Sequence, residues 1–159
     1  MPMDLIDQLV ADWARERPEL DLGAMQIVGR IMRLGRSFYD EANALLGKQG
    51  LTYSEFDLLA TLRRMGRPYA QTPSQLQASV VLTSGALTAC MNRLERKGLI
   101  ARSGAAGDRR KRLASLTPAG LALVEQLAEA RFGLAEQQVQ QIDQAARDDL
   151  RRLLKALGG

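Results

Sequence analysis

Apolar residues recur every three or four positions along most of this chain, and the pattern breaks at a few sharp points. From 23 to 47, Met25, Ile27, Val28, Ile31, Met32, Leu34, Phe38, Ala42, Leu45 and Leu46 predict one long helix. Residues 3–17 predict a shorter helix, ended by Pro18. Near the other end, 118–133 and 136–157 predict two helices carrying Leu121, Val124, Leu127, Phe132, Ile142, Leu150, Leu153 and Leu154. These outer helices carry more apolar surface than one small central unit needs, and a second copy of the chain is the simplest cover.

The centre is punctuated by helix starts. Thr52 with Glu55 three residues on reads as a capping box before Phe56, Leu58, Leu59 and Leu62, and Gly66 stops that helix. Thr72 with Pro73 and Gln75 repeats the device ahead of Leu76 and Val80. The next helix starts on Thr83 or Ser84 and ends at Gly98. Thr117-Pro118 opens another. Between Gly98 and Pro118 the periodicity changes. Residues 99–101 and 113–116 read as short strands around a turn at Gly104–Gly107, which predicts a β-hairpin.

Two helices joined by a three- or four-residue link have helix-turn-helix spacing, and the second of such a pair enters the DNA major groove by its N-terminal end. That end offers Thr83, Ser84 and Thr88 to phosphates or base edges, and Ala86 and Leu87 to thymine methyls. Arg93 follows along the helix, while Leu87, Cys90, Met91 and Leu94 form a stripe that should face the core. Thr72, Ser74 and Gln75 of the preceding helix complete the expected contacts. A hairpin beside such a helix is a wing. Arg109, Arg110 and Arg112 would reach the adjacent minor groove, with Asp108 holding one arginine in place. The expected fold is therefore mainly α (α+β), a winged helix-turn-helix with a helical dimerisation lobe. Residues 50–117 would form the DNA-binding lobe of a single domain over 1–159, and 1–48 with 118–159 the dimerisation helices.

Charge sharpens this picture. The net charge of +4 is unevenly spread: residues 61–112 hold eleven basic and two acidic side chains, whereas residues 1–60 hold six and ten. A localised basic region is the footprint of a nucleic-acid binder. The chain has no histidine and one cysteine, so neither a Cys–His nucleophile pair nor the commonest zinc ligand is available. No catalytic constellation or Gly-rich phosphate loop is present, and neither an enzyme, a metal nor a cofactor is expected. No run of 18 apolar residues or basic-then-apolar leader occurs, so a cytoplasmic protein is expected, with no membrane partner.

The run "GLTYSEFDLLATLRR" followed by "TPSQLQASVVLTSGALTACMNRLERKGLIARSGAAGDRRKRLASLTPAG" resembles the MarR family of bacterial winged-helix regulators, strongly over residues 50–120. The resemblance implies an obligate homodimer on a pseudo-palindromic operator, usually a repressor released by a small ligand or by oxidation. The upstream run "DWARERPELDLGAMQIVGRIMRLGR" is similar to the urate-responsive branch of that family. By position, the branch's pocket residues fall on Trp13, Asp57 and Arg102, and an expected recognition-helix arginine falls on Cys90. Loss of one charge-assisted hydrogen bond, about 1.5–3 kcal/mol, weakens the hold on a purine anion such as urate and makes room for a less acidic or more apolar ligand. The expected effector is thus a small aromatic or purine-like molecule. Asp57, between Phe56 and Leu58, needs a partner, and Arg102 or an arginine from another helix is expected to supply it.

Some residues carry more than one reading. Cys90 is a core filler, a pocket-lining residue or a thiol sensor whose oxidation displaces the recognition helix. Trp13 is a packing anchor or a ligand contact. A winged-helix module that docks an acidic protein is the alternative to a DNA-binding regulator.

Overall fold

The computed structural model describes residues 3–80, 82–103 and 113–158. It contains α1 (Leu5–Glu16), α2 (Gly23–Gly47), α3 (Tyr53–Arg64), β1 (Ala70–Gln71), α4 (Pro73–Ser79), α5 (Ser84–Arg96), β2 (Ile100–Ser103), β3 (Leu113–Leu116), α6 (Pro118–Val139) and α7 (Gln144–Gly158). Two compact units divide within α2, at Met1–Glu41 and Ala42–Gly159.

In the first unit, α1 starts on a capping box in which the side chains of Asp4 and Asp7 accept from each other's backbone N–H. Arg30 of α2 donates to both carboxylates, at 2.9 and 3.1 Å to Asp4 and 2.6 Å to Asp7. The Asp4 backbone N–H and the Arg30 guanidinium hold the Asp7 carboxyl below its ordinary value. Ile6 packs over Gly29, where an added Cβ would meet its Cδ1 at 3.1 Å.

In the second unit, the core is built from Leu46 of α2, Leu58, Leu59 and Leu62 of α3, Leu76 of α4, Leu94 of α5, Ile100 of β2 and Val124 of α6. Thr52, Thr72 and Thr83 cap α3, α4 and α5 as their spacing predicts. Both expected strands are present, β3 with the expected bounds and β2 shifted to Ile100–Ser103, and they pair antiparallel, Ile100 opposite Leu116 and Arg102 opposite Ala114; the expected turn at 104–107 lies outside the described residues. A third strand, β1, adds to β3 through Ala70 and Gln71, giving the order β1-β3-β2. This is the winged helix-turn-helix architecture the sequence predicts.

The start of α6 explains the Thr-Pro-Ala-Gly sequence. Thr117 caps the helix by accepting from Gly120 N, and its hydroxyl donates to the Gly98 carbonyl at 2.7 Å. Its N–H donates to Leu99 O at 3.1 Å. A Cβ on Gly120 would lie 1.9 Å from that same Leu99 oxygen, so only glycine fits there. One boundary differs from expectation. Helix α6 runs through Gly133 to Val139, and the break before α7 falls at 140–143, where Asp143 accepts from Ala146 N. A Cβ added at Gly133 would meet nothing within 4 Å, so glycine there costs the helix little beyond its intrinsic propensity, about 1 kcal/mol.

Candidate nucleic-acid interface

Helix α5 presents two different faces because its residues alternate at helical spacing. Leu87, Cys90, Met91 and Leu94 are buried, whereas Thr83, Ser84, Gly85, Ala86, Thr88 and Ala89 are exposed. The exposed set gathers at the N-terminal end, where unpaired backbone N–H groups and the helix dipole favour phosphate. Helix α4 ends at Ser79 and α5 begins at Ser84, a four-residue link. Gln77 of α4 donates to the Leu82 carbonyl and fastens that link.

Ser74, Gln75, Thr83, Ser84, Ala86 and Thr88 are exposed, and Thr72 is half-buried. Several already have local work. Thr72 and Gln75 form a capping box, Thr83 Oγ1 accepts from Ala86 N at 3.3 Å, and Thr88 Oγ1 donates to Ser84 O at 3.0 Å. Leu87 is a correction: it is 3% exposed and packed in the core, so its methyls are not available to thymine. Asp108, Arg109, Arg110 and Arg112 lie outside the described residues.

Arg93 is engaged elsewhere. Its Nε donates to Glu55 Oε1 at 2.9 Å. Lys97, one turn later, donates to Glu55 Oε2 at 2.8 Å and to Gly50 O at 2.7 Å. The same Oε2 accepts from Thr52 N at 3.0 Å. Glu55 is 1% exposed. Burial raises its pKa, but Lys97, the Thr52 N–H and Arg93 together outweigh this and leave the carboxyl below its ordinary value. Sequence reasoning saw Glu55 as a helix cap alone. The available signal was Arg93 and Lys97, four residues apart on the flank of the buried stripe.

The ligand-site residues fall in both units. Trp13 lines an apolar cavity of about 380 Å³ with Ile6, Leu9, Leu22 and Met25, between α1 and the first part of α2. Asp57 and Cys90 sit near one another on α3 and α5, close enough for the Asp57 charge to help raise the Cys90 pKa. The expected Asp57–Arg102 link is absent. Arg102 donates to Glu95 Oε2 at 2.9 Å through Nε, and also to Asn92, because β2 runs beside the end of α5. Burial raises the Asp57 carboxyl pKa, and Arg64 only partly opposes it. Cys90 is 1% exposed and its Sγ donates to Ser54 O at 3.6 Å. Burial first, then the Glu55 charge, push its pKa up to about 11, against the lowered value the thiol-sensor reading needs. The geometry fits a small core residue.

A model of the MarR family matches residues 51–111. The HTH-type transcriptional regulator PecS of Dickeya dadantii is 36% identical over 124 residues, 78% of this chain and 75% of PecS. A mutant MarR of Escherichia coli complexed with operator DNA superposes with a TM-score of 0.70 at 24% identity, over 98% of this chain and 99% of that one. BpsR of Bordetella bronchiseptica, whose DNA binding is regulated by 6-hydroxynicotinic acid, superposes with a TM-score of 0.72 at 24% identity, over 86% of this chain and 95% of BpsR. A core-anchored helix with an exposed polar N-terminus, a three-stranded wing base and these relatives lead to one conclusion: the chain belongs to the MarR family of DNA-binding transcriptional regulators, which are not enzymes.

Proposed function

We propose that the chain acts as a homodimeric, ligand-responsive repressor on a pseudo-palindromic operator. The observation that carries the dimer is α7, which has no buried residue and leaves Leu150, Leu153, Leu154 and Leu157 from 43% to 67% exposed. An apolar helix face of that size is stable in water when a second copy covers it. Two copies would set their α5 N-termini about one helical turn of DNA apart, 10 bp between half-site centres. Ser84, Ala86 and Thr88 would face the groove, with Thr72, Ser74, Gln75 and Thr83 toward the backbone. Residues 1–48 and 118–159 would contribute the dimer contacts.

The effector reading rests on Asp57 and Cys90, near one another on α3 and α5, and on the BpsR precedent of a small aromatic ligand. With Arg102 turned to Glu95 and a thiol at position 90, the polar group offered at Asp57 is a carboxylate. That favours a neutral aromatic ligand with a hydrogen-bond donor over a purine anion.

The test is selection of bound fragments from the source genome by the purified chain. An enriched inverted repeat with half-sites one turn apart, released by an aromatic ligand, is the expected result. Binding without an enriched sequence would leave a nonspecific role. No binding at low salt would favour the protein-docking module.

A further inference from the structure

Among the described residues, most basic side chains around the recognition helix are paired within the chain. Glu55 pairs with Arg93 and Lys97, and Glu95 pairs with Arg102. Among the described residues, Arg96 is the basic side chain of α5 with no carboxylate in ion-pair range. At 100° per residue, Arg93 lies about 140° round the helix from Thr88 and therefore on the opposite flank from the Ser84–Thr88 edge.

The Glu55 anchor is a costly way to hold two helices. A buried carboxylate loses its hydration, and apolar side chains of similar volume generally pack there with equal or better stability. Leu58, Leu59 and Leu94 already supply such packing between α3 and α5. What apolar contacts lack is direction. Glu55 receives three donors at 2.8 to 3.0 Å from two sides, on both of its oxygens. Together they fix the roll and tilt of α5 against α3. Arg93 and Lys97 stay partly exposed, but the same bonds neutralise them and compete with phosphate for them; set free, each would add affinity for DNA of any sequence.

We infer that Glu55 is a specificity-determining positioning residue: without touching DNA, it holds the recognition helix in register and keeps Arg93 and Lys97 off the phosphate backbone. The inference rests on the DNA-binding reading and goes beyond it in assigning selectivity to a residue behind the interface.

The test compares the full chain with Glu55→Gln on two probes, a fragment recovered by the genomic selection and a random duplex of equal length. Glutamine keeps the capping bond to Thr52 but loses the charge that holds the two cations. The expected result is random-duplex binding about tenfold tighter at low salt, with its log-log salt slope steeper by about one to two, and a reduced preference for the selected fragment. Unchanged preference and slope would overturn the inference. Arg93→Gln provides a second arm should Glu55→Gln fold poorly. Its selectivity should fall with the slope unaltered, whereas a slope shallower by about one would place Arg93 on phosphate in the parent chain and overturn the assignment. A parent chain with no preference between the probes would overturn the operator reading itself, and the positioning role with it.

Discussion

Helices α5 and α7 are similar in length, 13 and 15 residues, and both are apolar on one side, yet they meet opposite fates. The apolar side of α5 is sealed by its own chain, with Leu94 wholly buried. That of α7 is bare along its length. The difference shows how one fold divides its labour. A helix that must offer its polar end to a ligand is held from behind by its own core and by a charged anchor. A helix proposed to meet a second copy keeps its apolar side open.

The sharpest way to break this contrast is to truncate both stripes. Leu94→Ala should lower the stability of the chain by about 2–5 kcal/mol in urea denaturation, because it leaves a cavity in a packed core. Leu153→Glu with Leu157→Glu should leave that core intact and shift sedimentation from two copies to one. Operator affinity should then fall about a hundredfold or more, since each half-site is bound alone. An unchanged dimer mass would show that α7 lies outside the interface.

A finer probe is pH. The folded-state pKa of Glu55 lies below its ordinary 4.5, so the unfolded chain takes up that proton first. Its contribution is fully present above about pH 4.5 and drains away as pH falls through the folded-state value. Glu55→Gln should flatten the acid limb of a stability–pH curve. An acid limb identical to the parent's would mean that the anchor adds nothing.

Removing the cap at the exposed end is expected to matter less. Thr83→Ala should reduce stability by about 1 kcal/mol in the same denaturation measurement, the ordinary cost of a lost N-cap. The smallest effect belongs to Cys90. With its thiol protonated at neutral pH and buried, alkylation of the folded chain should be slow, and peroxide should leave operator binding unchanged in a mobility-shift assay. Rapid labelling at pH 7 would reopen the redox reading.

What was legible in the sequence was local. Each Thr cap with its Glu, Gln or Pro partner sits within three residues and fixed a helix start. The buried and exposed faces of α5 followed from spacing alone, apart from Leu87, which was assigned to both. What escaped was either too short or too distant. Strand β1 is two residues with no alternation to detect, and exists because β3 offers it an edge. The Glu55 anchor joins residues 38 and 42 positions apart, which leaves no periodic trace. Arg102 was expected on Asp57 because both matched a pocket by position. The turn out of α5 puts Glu95 and Asn92 nearer to hand.

The glycine at 120 has a mechanical consequence. Because the first turn of α6 is seated on the Leu99 carbonyl, and Thr117 is bonded to both Gly98 and Leu99, the recognition helix and the long helix leave from a single pivot. Helix α6 extends 22 residues, about 33 Å, from that seat and stays packed in the core through Val124 and Leu127, so a rotation of the seat carries this core block with it. A swing of one degree at the pivot moves its far end by about 0.6 Å over that length. Small rotations at the DNA end are thereby geared up into larger displacements at Val139, and a push there is geared down into fine angular control of α5.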